Sequence, residues 1–264
     1  MLSTRSIVMS SEPQKKPSLI NIWSNIEYNQ KSNSDKQIYH VAERSIDTNV
    51  YHHALYKWTA LNNTKLEMDS IKNIFMNAGI NVFAVTGTDA TEEAFKAMDG
   101  SSAQVLHVAT HGFFWSTKDK LNTNFIAQQD PMFRSGIVLA GANNIWCNKK
   151  INNVEDGILT SYEIAGLDLS NTELIVLSAC ETALGDLQGN EGVIGLQRAL
   201  KLAGVKQMII SLWRIPDKQT AELMTAFYRY WLNGESTEEA LRSAQLFMKA
   251  KYPPYDWAGF VLVE

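Results

Sequence analysis

The chain has 264 residues, 45% hydrophobic and 20% charged, with a formal net charge of −4. This is ordinary globular composition; the mild acidity and lack of a Lys/Arg stripe argue against nucleic acid, and no apolar run reaches the ~18 residues of a membrane-spanning helix. Two cysteines, Cys147 and Cys180, are too few for a disulfide framework or a four-cysteine zinc site, so a reducing, cytoplasmic setting is expected.

The N-terminus, MLSTRSIVMSSEPQKK, lacks the long apolar core of a secretory signal. Ser6 to Met9 reads as a short strand and Ser10 to Ser18 as loop. Leu19 to Ile26 alternates apolar and polar residues as a strand does. Tyr28 to Asn49, rich in Asn, Ser, Lys and Asp, reads as a long, mobile surface loop. A helix is expected from about Thr64 to Ala78, with Thr64 and Glu67 at capping-box spacing. Met68, Ile71, Phe75 and Ala78 form its apolar stripe, and Gly79 stops it. Ile80 to Val85 is a strand, and Ala90 to Met98 a short helix with Asp89 and Glu92 as its cap pair. Ala103 to Thr110, AQVLHVAT, is the next strand, with His111-Gly112 directly after it.

Residues 113–134 are mostly polar and without periodicity, the pattern of a mobile active-site loop. Ser135 to Ala140 is a short strand, and residues 141–157 are loop. Thr160 and Glu163 have the spacing to cap a one-turn helix. Leu174 to Leu177 is a buried apolar strand that runs into Ser178-Ala179-Cys180. A helix over residues 192–203 ends at Gly204, and residues 206–213 are a strongly apolar strand. Asp217 is placed to cap a helix reaching Leu232. Ser236 and Glu239 repeat the capping box for a last helix, which Pro253-Pro254 stops, and residues 257–263 are a final strand. Alternating strands and helices predict parallel βαβ units.

Two strand ends carry the chemistry. In an open α/β sheet, ligands bind beyond the carboxyl ends of parallel strands. If the Cys180 and His111 strands are parallel neighbours, a nucleophile and a base face each other over one sheet edge. Gly112 leaves room for a substrate, and its N–H with that of Cys180 can hold an oxyanion. Either residue alone has a plain structural reading: free cysteines are mostly buried, and a strand-end histidine often just bonds a loop. His107 reads as a satisfied core histidine, since a metal pair with His111 lacks a third ligand. The glycines at 185, 189, 192 and 195 lack the Gly-Lys-Ser/Thr of a phosphate loop, so no cofactor is expected.

Several stretches, taken together and in order, carry a specific resemblance: HVATHGFF, RSGIVLAGAN, EDGILTSYEIAGLDLSNTELIVLSACETALGD, EGVIGLQRALKLAGVKQMIISLWRIPD and PYDWAGFVLVE. They are similar to the CHAT domain, a caspase-like cysteine peptidase domain of the caspase, separase and legumain clan. The likeness covers residues 58–264 well and residues 1–57 only loosely, as in a single domain with a truncated or variant amino-terminal part. It implies an α/β fold, a caspase-like three-layer α/β/α sandwich with a mostly parallel central sheet. It also implies a His111/Cys180 dyad that works through an acyl-enzyme, with the N–H groups of Gly112 and Cys180 as the oxyanion site. The same likeness places a substrate pocket at Ser178, Asp186, Ser211, Trp213, Arg214 and Asp217. The implied partners are a protein substrate and an activating partner or tetratricopeptide-repeat region, with no nucleic acid and no membrane. The alternative is a catalytically silent caspase-like domain that only binds a protein.

Overall fold

A computed structural model of the chain describes residues 16–29, 58–114, 130–143, 155–178 and 191–264. Its centre is a six-stranded sheet. The strands, in chain order, are β1 (Leu19–Ile26), β2 (Asn81–Gly87), β3 (Val105–Val108), β7 (Leu174–Leu177), β8 (Gln207–Ser211) and β9 (Phe260–Val263), and they lie in the spatial order β2-β1-β3-β7-β8-β9. Five run parallel and β9 runs antiparallel to β8. Between β3 and β7 the chain builds a small antiparallel sheet of β4 (Gly112–Phe114), β5 (Ser135–Val138) and β6 (Ile158–Thr160).

The apolar strands owe their composition to burial on both faces. Val105, Leu174, Val176 and Ile209 point to one core, and Leu106, Val108, Ile175, Leu177, Met208 and Ile210 to the other. Helices α1 (Thr64–Asn77), α6 (Asp217–Leu232) and α7 (Thr237–Lys249) cover the first face with Phe75, Leu223, Phe227 and Met248. Helices α2 (Glu92–Lys96) and α5 (Glu191–Leu202) cover the second with Phe95 and Leu200; α4 (Ser161–Ala165) adds Ile164 there. The expected three layers are formed. The short α3 (Pro131–Arg134) leads into β5.

Helix starts divide according to what else competes for the capping side chain. The Ser236/Glu239 and Thr160/Glu163 boxes form as their spacing predicts. Thr64/Glu67 does not: the cap residue is Asn63 without a side-chain bond, Thr64 Oγ1 donates to the Leu61 carbonyl, and Glu67 is taken by His107. Helix α2 is capped by Thr91 rather than Asp89, because Glu92 accepts from the Gly157 N–H instead of closing a box. Pro216, not Asp217, holds the cap position of α6. Gly79 and Gly204 end their helices at φ +74° and +93°, a conformation that glycine adopts without a Cβ penalty. The expected strand at residues 6–9 lies outside the described residues. So does residues 30–49 of the expected surface loop, but Tyr28 at its start is buried and bonded to Thr110.

Candidate functional site

The strands β3 and β7 are parallel neighbours at the centre of the sheet, in the register Val108↔Leu177. Both stop there, and the Ser178 N–H closes the edge by donating to the Val108 carbonyl at 3.1 Å. His111 stands three residues beyond Val108. Cys180 follows three residues after Leu177 in the chain and lies outside the described residues, as does Asp186.

His111 is 7% exposed and enclosed on several sides. Its ring meets those of Tyr28 and Trp58, with centroids 5.2 Å from each. Its Nε2 is 2.8 Å from the Thr59 carbonyl oxygen. A carbonyl only accepts, so Nε2 carries the hydrogen, and in the neutral ring Nδ1 is the nitrogen with the lone pair. Burial pushes the imidazole below its usual 6.5; the Thr59 carbonyl and the Asp217 carboxylate pull it back, and Arg214 adds to the fall. A histidine with these settings is neutral near pH 7 and can accept a proton.

Gly112 opens β4 opposite Ile137. The Val138 N–H donates to the His111 carbonyl at 2.8 Å, which makes Gly112↔Ile137 a non-hydrogen-bonded pair. The Gly112 N–H therefore points away from β5. Thr110 steadies the same turn by donating to the Val138 carbonyl and meeting the Tyr28 hydroxyl at 3.0 Å.

A cleft of about 370 Å³, counted with its open mouth, joins His111 to the opposite wall. It is lined by Leu61, Thr64 and Glu67 of the α1 segment, Ser178 after β7, and Arg214, Asp217 and Thr220 at the start of α6. Burial raises the Asp217 carboxyl above its usual 3.8, and His111 and Arg214 moderate the rise. Glu67, on the floor, is 3.1 Å from His107 Nε2, and His107 Nδ1 meets the Tyr228 hydroxyl at 3.1 Å. All three side chains are buried. His107 is thus a bonded core histidine. Among the described residues no three His, Cys, Asp or Glu side chains gather to hold a metal.

The structure therefore brings His111, Ser178, Arg214 and Asp217 to one cleft. Ser211 and Trp213, expected in the same pocket, are engaged beside it. The Ser211 hydroxyl donates to the Trp213 carbonyl, and the Trp213 indole donates to the Tyr255 carbonyl at 2.8 Å and stacks on the Tyr255 ring. Sequence reasoning missed Tyr28, Trp58 and Thr59 around His111. Thr59 acts through its backbone, which leaves no signature in residue type. Glu67 was visible, but its capping spacing pointed to a helix start.

The CHAT domain family model matches residues 7–264. Tetratricopeptide repeat protein 28 of Mus musculus is 33% identical over 109 residues, covering 40% of this chain and 4% of that protein. Its Homo sapiens counterpart is 32% identical over 113 residues, 42% of this chain and again 4% of the relative. The match thus spans a small fraction of these curated relatives. Among solved structures, the Arg-specific cysteine proteinase gingipain R aligns with a TM-score of 0.50 at 11% identity, over 93% of this chain and 46% of that one. At that identity the likeness speaks for the fold alone.

Proposed function

This chain belongs to the CHAT domain family, and on that premise we propose that it is a cysteine endopeptidase acting on a specific protein through His111 and Cys180. The observation that carries the reading is the parallel β3–β7 pairing. It ends both strands at one edge, with a buried, oriented His111 beyond one and Ser178 beyond the other, two residues before Cys180 in the sequence.

In this reading the Cys180 thiol gives its proton to His111 Nδ1, and the sulfur attacks the scissile carbonyl carbon. The oxyanion that forms takes hydrogen bonds from the Gly112 and Cys180 N–H groups. The C–N bond then breaks, the amine leaves with the proton from His111, and an acyl-enzyme remains. A water gives a proton to His111 and attacks the thioester, releasing the carboxylic acid and restoring the thiol. Thr59 holds the ring so that Nδ1, not Nε2, does this work.

The side chain before the cut would enter the cleft of Ser178, Arg214 and Asp217, with Ser211, Trp213 and Asp186 completing its surroundings. Asp217 and Asp186 favour a basic residue there and Arg214 an acidic one. The relatives' name supports association with a tetratricopeptide-repeat region, and in this reading such a region or a regulatory partner switches the domain on.

Cleavage of a peptide library and of a cell lysate by wild type beside Cys180→Ala tests the reading. Cleavage lost in the variant supports it, and Arg214→Ala and Asp217→Asn then show which charge selects the residue before the cut. A wild-type Cys180 that neither cleaves nor reacts with a thiol label faster than an ordinary cysteine refutes it, and would assign the domain to protein binding alone.

A further inference from the structure

His111 is oriented by a backbone carbonyl, so something must hold that carbonyl in place. Thr59 is itself exposed and precedes α1 on an irregular stretch. The neighbouring Trp58 is gripped by one side chain. Asn143 Oδ1 accepts from the Trp58 N–H at 2.8 Å, and Asn143 Nδ2 donates to the Trp58 carbonyl at 2.9 Å and to Asn29 Oδ1 at 3.0 Å. The Asn143 N–H donates to the Tyr28 carbonyl at 3.1 Å, and the Gly141 N–H to that of Glu27 at 3.2 Å. Asn143 is 2% exposed. The Trp58 N–H only donates and its carbonyl only accepts, so the Asn143 amide can be seated on them in only one way.

The arrangement has a topological sense. Asn29 lies just after β1 and Trp58 shortly before α1, and the Asn143 side-chain amide bonds to both. The same two segments supply the Tyr28 and Trp58 rings that meet His111, as well as the Thr59 carbonyl. Asn143 itself lies five residues after Val138 of β5, which donates to the His111 carbonyl.

We propose that Asn143 is the positioning residue of this site: by clamping Trp58 to Tyr28 and Asn29 it holds the Thr59 carbonyl on His111 Nε2 and thereby keeps Nδ1 available as the base. The inference rests on the peptidase reading for its catalytic consequence, but its geometric core does not. Without the clamp the imidazole can exchange its two neutral tautomers, and one of them presents the wrong nitrogen to the thiol. A misplacement of about 1 Å at a reacting group costs on the order of 10²-fold in rate.

The test uses the full chain with isotope-labelled histidine, as wild type, Asn143→Leu and Asn143→Asp. The Leu variant removes every bond of the side-chain amide; the Asp variant keeps the shape and the acceptor for the Trp58 N–H, loses the donors and sets a carboxylate against the Trp58 carbonyl and Asn29 Oδ1. Imidazole nitrogen NMR should show His111 as the Nε2–H tautomer in wild type and as a mixture in both variants. His107, held by Glu67 and Tyr228, should stay unchanged and report an intact fold. With a cleaved peptide in hand, kcat should fall by about 10²-fold while KM changes little. Retention of the Nε2–H form by His111 in the Asp variant would overturn the proposal, as would a rise in KM alone. The tautomer is read without substrate. A wild type that neither cleaves nor shows a reactive Cys180 thus removes the peptidase reading, while mixed tautomers in the variants would still support the clamp.

Discussion

Replacing His107 by leucine should be among the most damaging single changes outside the site. His107 lies on the central strand β3, fully buried, and carries a bond on each ring nitrogen: to Glu67 Oε1 at 3.1 Å and to the Tyr228 hydroxyl at 3.1 Å. Leucine has a comparable size, so the loss is one of partners more than of volume. Stranding the Tyr228 hydroxyl costs about 1–3 kcal/mol. Leaving the Glu67 carboxylate, 2% exposed, without its partner costs about 3–5 kcal/mol. The cleft beside Glu67 lets water approach one side of it, which keeps the sum near its lower bound, about 4 kcal/mol. For a chain of this size that lowers Tm by roughly 10 °C. Urea denaturation at pH 7 of His107→Leu, Glu67→Leu and the double variant provides the assay. The double variant should be more stable than His107→Leu, because no buried charge is left behind. A His107→Leu cost under about 1 kcal/mol, or a double variant as costly as the two singles added, would refute the reasoning.

Two further outcomes follow from the packing around the site. Burial, helped by Glu163, raises the Glu92 carboxyl to about 7 despite Lys96 at 2.7 Å. The folded protein therefore binds a proton between pH 4.5 and about 7 that the unfolded chain does not, and this contribution to stability is lost as pH rises through that window. Glu92→Gln should gain on wild type as pH goes from about 5 to about 8 in urea midpoints; parallel pH profiles would show the carboxyl to be ordinary. A Cβ at Gly259 would lie 2.8 Å from Trp213 Cε2 and 3.1 Å from Ile215 Cδ1. Gly259→Ala should cost about 1–3 kcal/mol and shift tryptophan emission as the Trp213–Tyr255 stack opens, and an unchanged melt and spectrum would contradict the close approach.

Much of this fold is legible in the sequence because its strands are single-purpose. Leu19–Ile26 and Leu174–Leu177 occur where the pattern puts them, since alternation or an unbroken apolar run has one stable use in a doubly covered sheet. Asp217 and Glu67 show the limit of the same method. Each has the spacing of a helix start, yet each side chain lines the cleft, a use that depends on elements distant in the chain. The antiparallel sense of β9 and the strand β6 were equally out of reach, because residue type does not encode direction and three residues carry no period. His111 was legible as a histidine just beyond a strand end, and the structure sets it in the cleft. Its orienting carbonyl was not, since any residue at position 59 would offer the same atom.

The strand order has one more consequence. The three strands on one side of the β3–β7 junction all come from the first 108 residues, and the three on the other side all come from residue 174 onward. The sheet is thus a suture between an early half and a late half of the polypeptide, and the candidate site straddles the stitch line. Neither half alone holds both His111 and Cys180. Two separately expressed halves would bring His111 and Ser178 to one cleft only on docking through this seam.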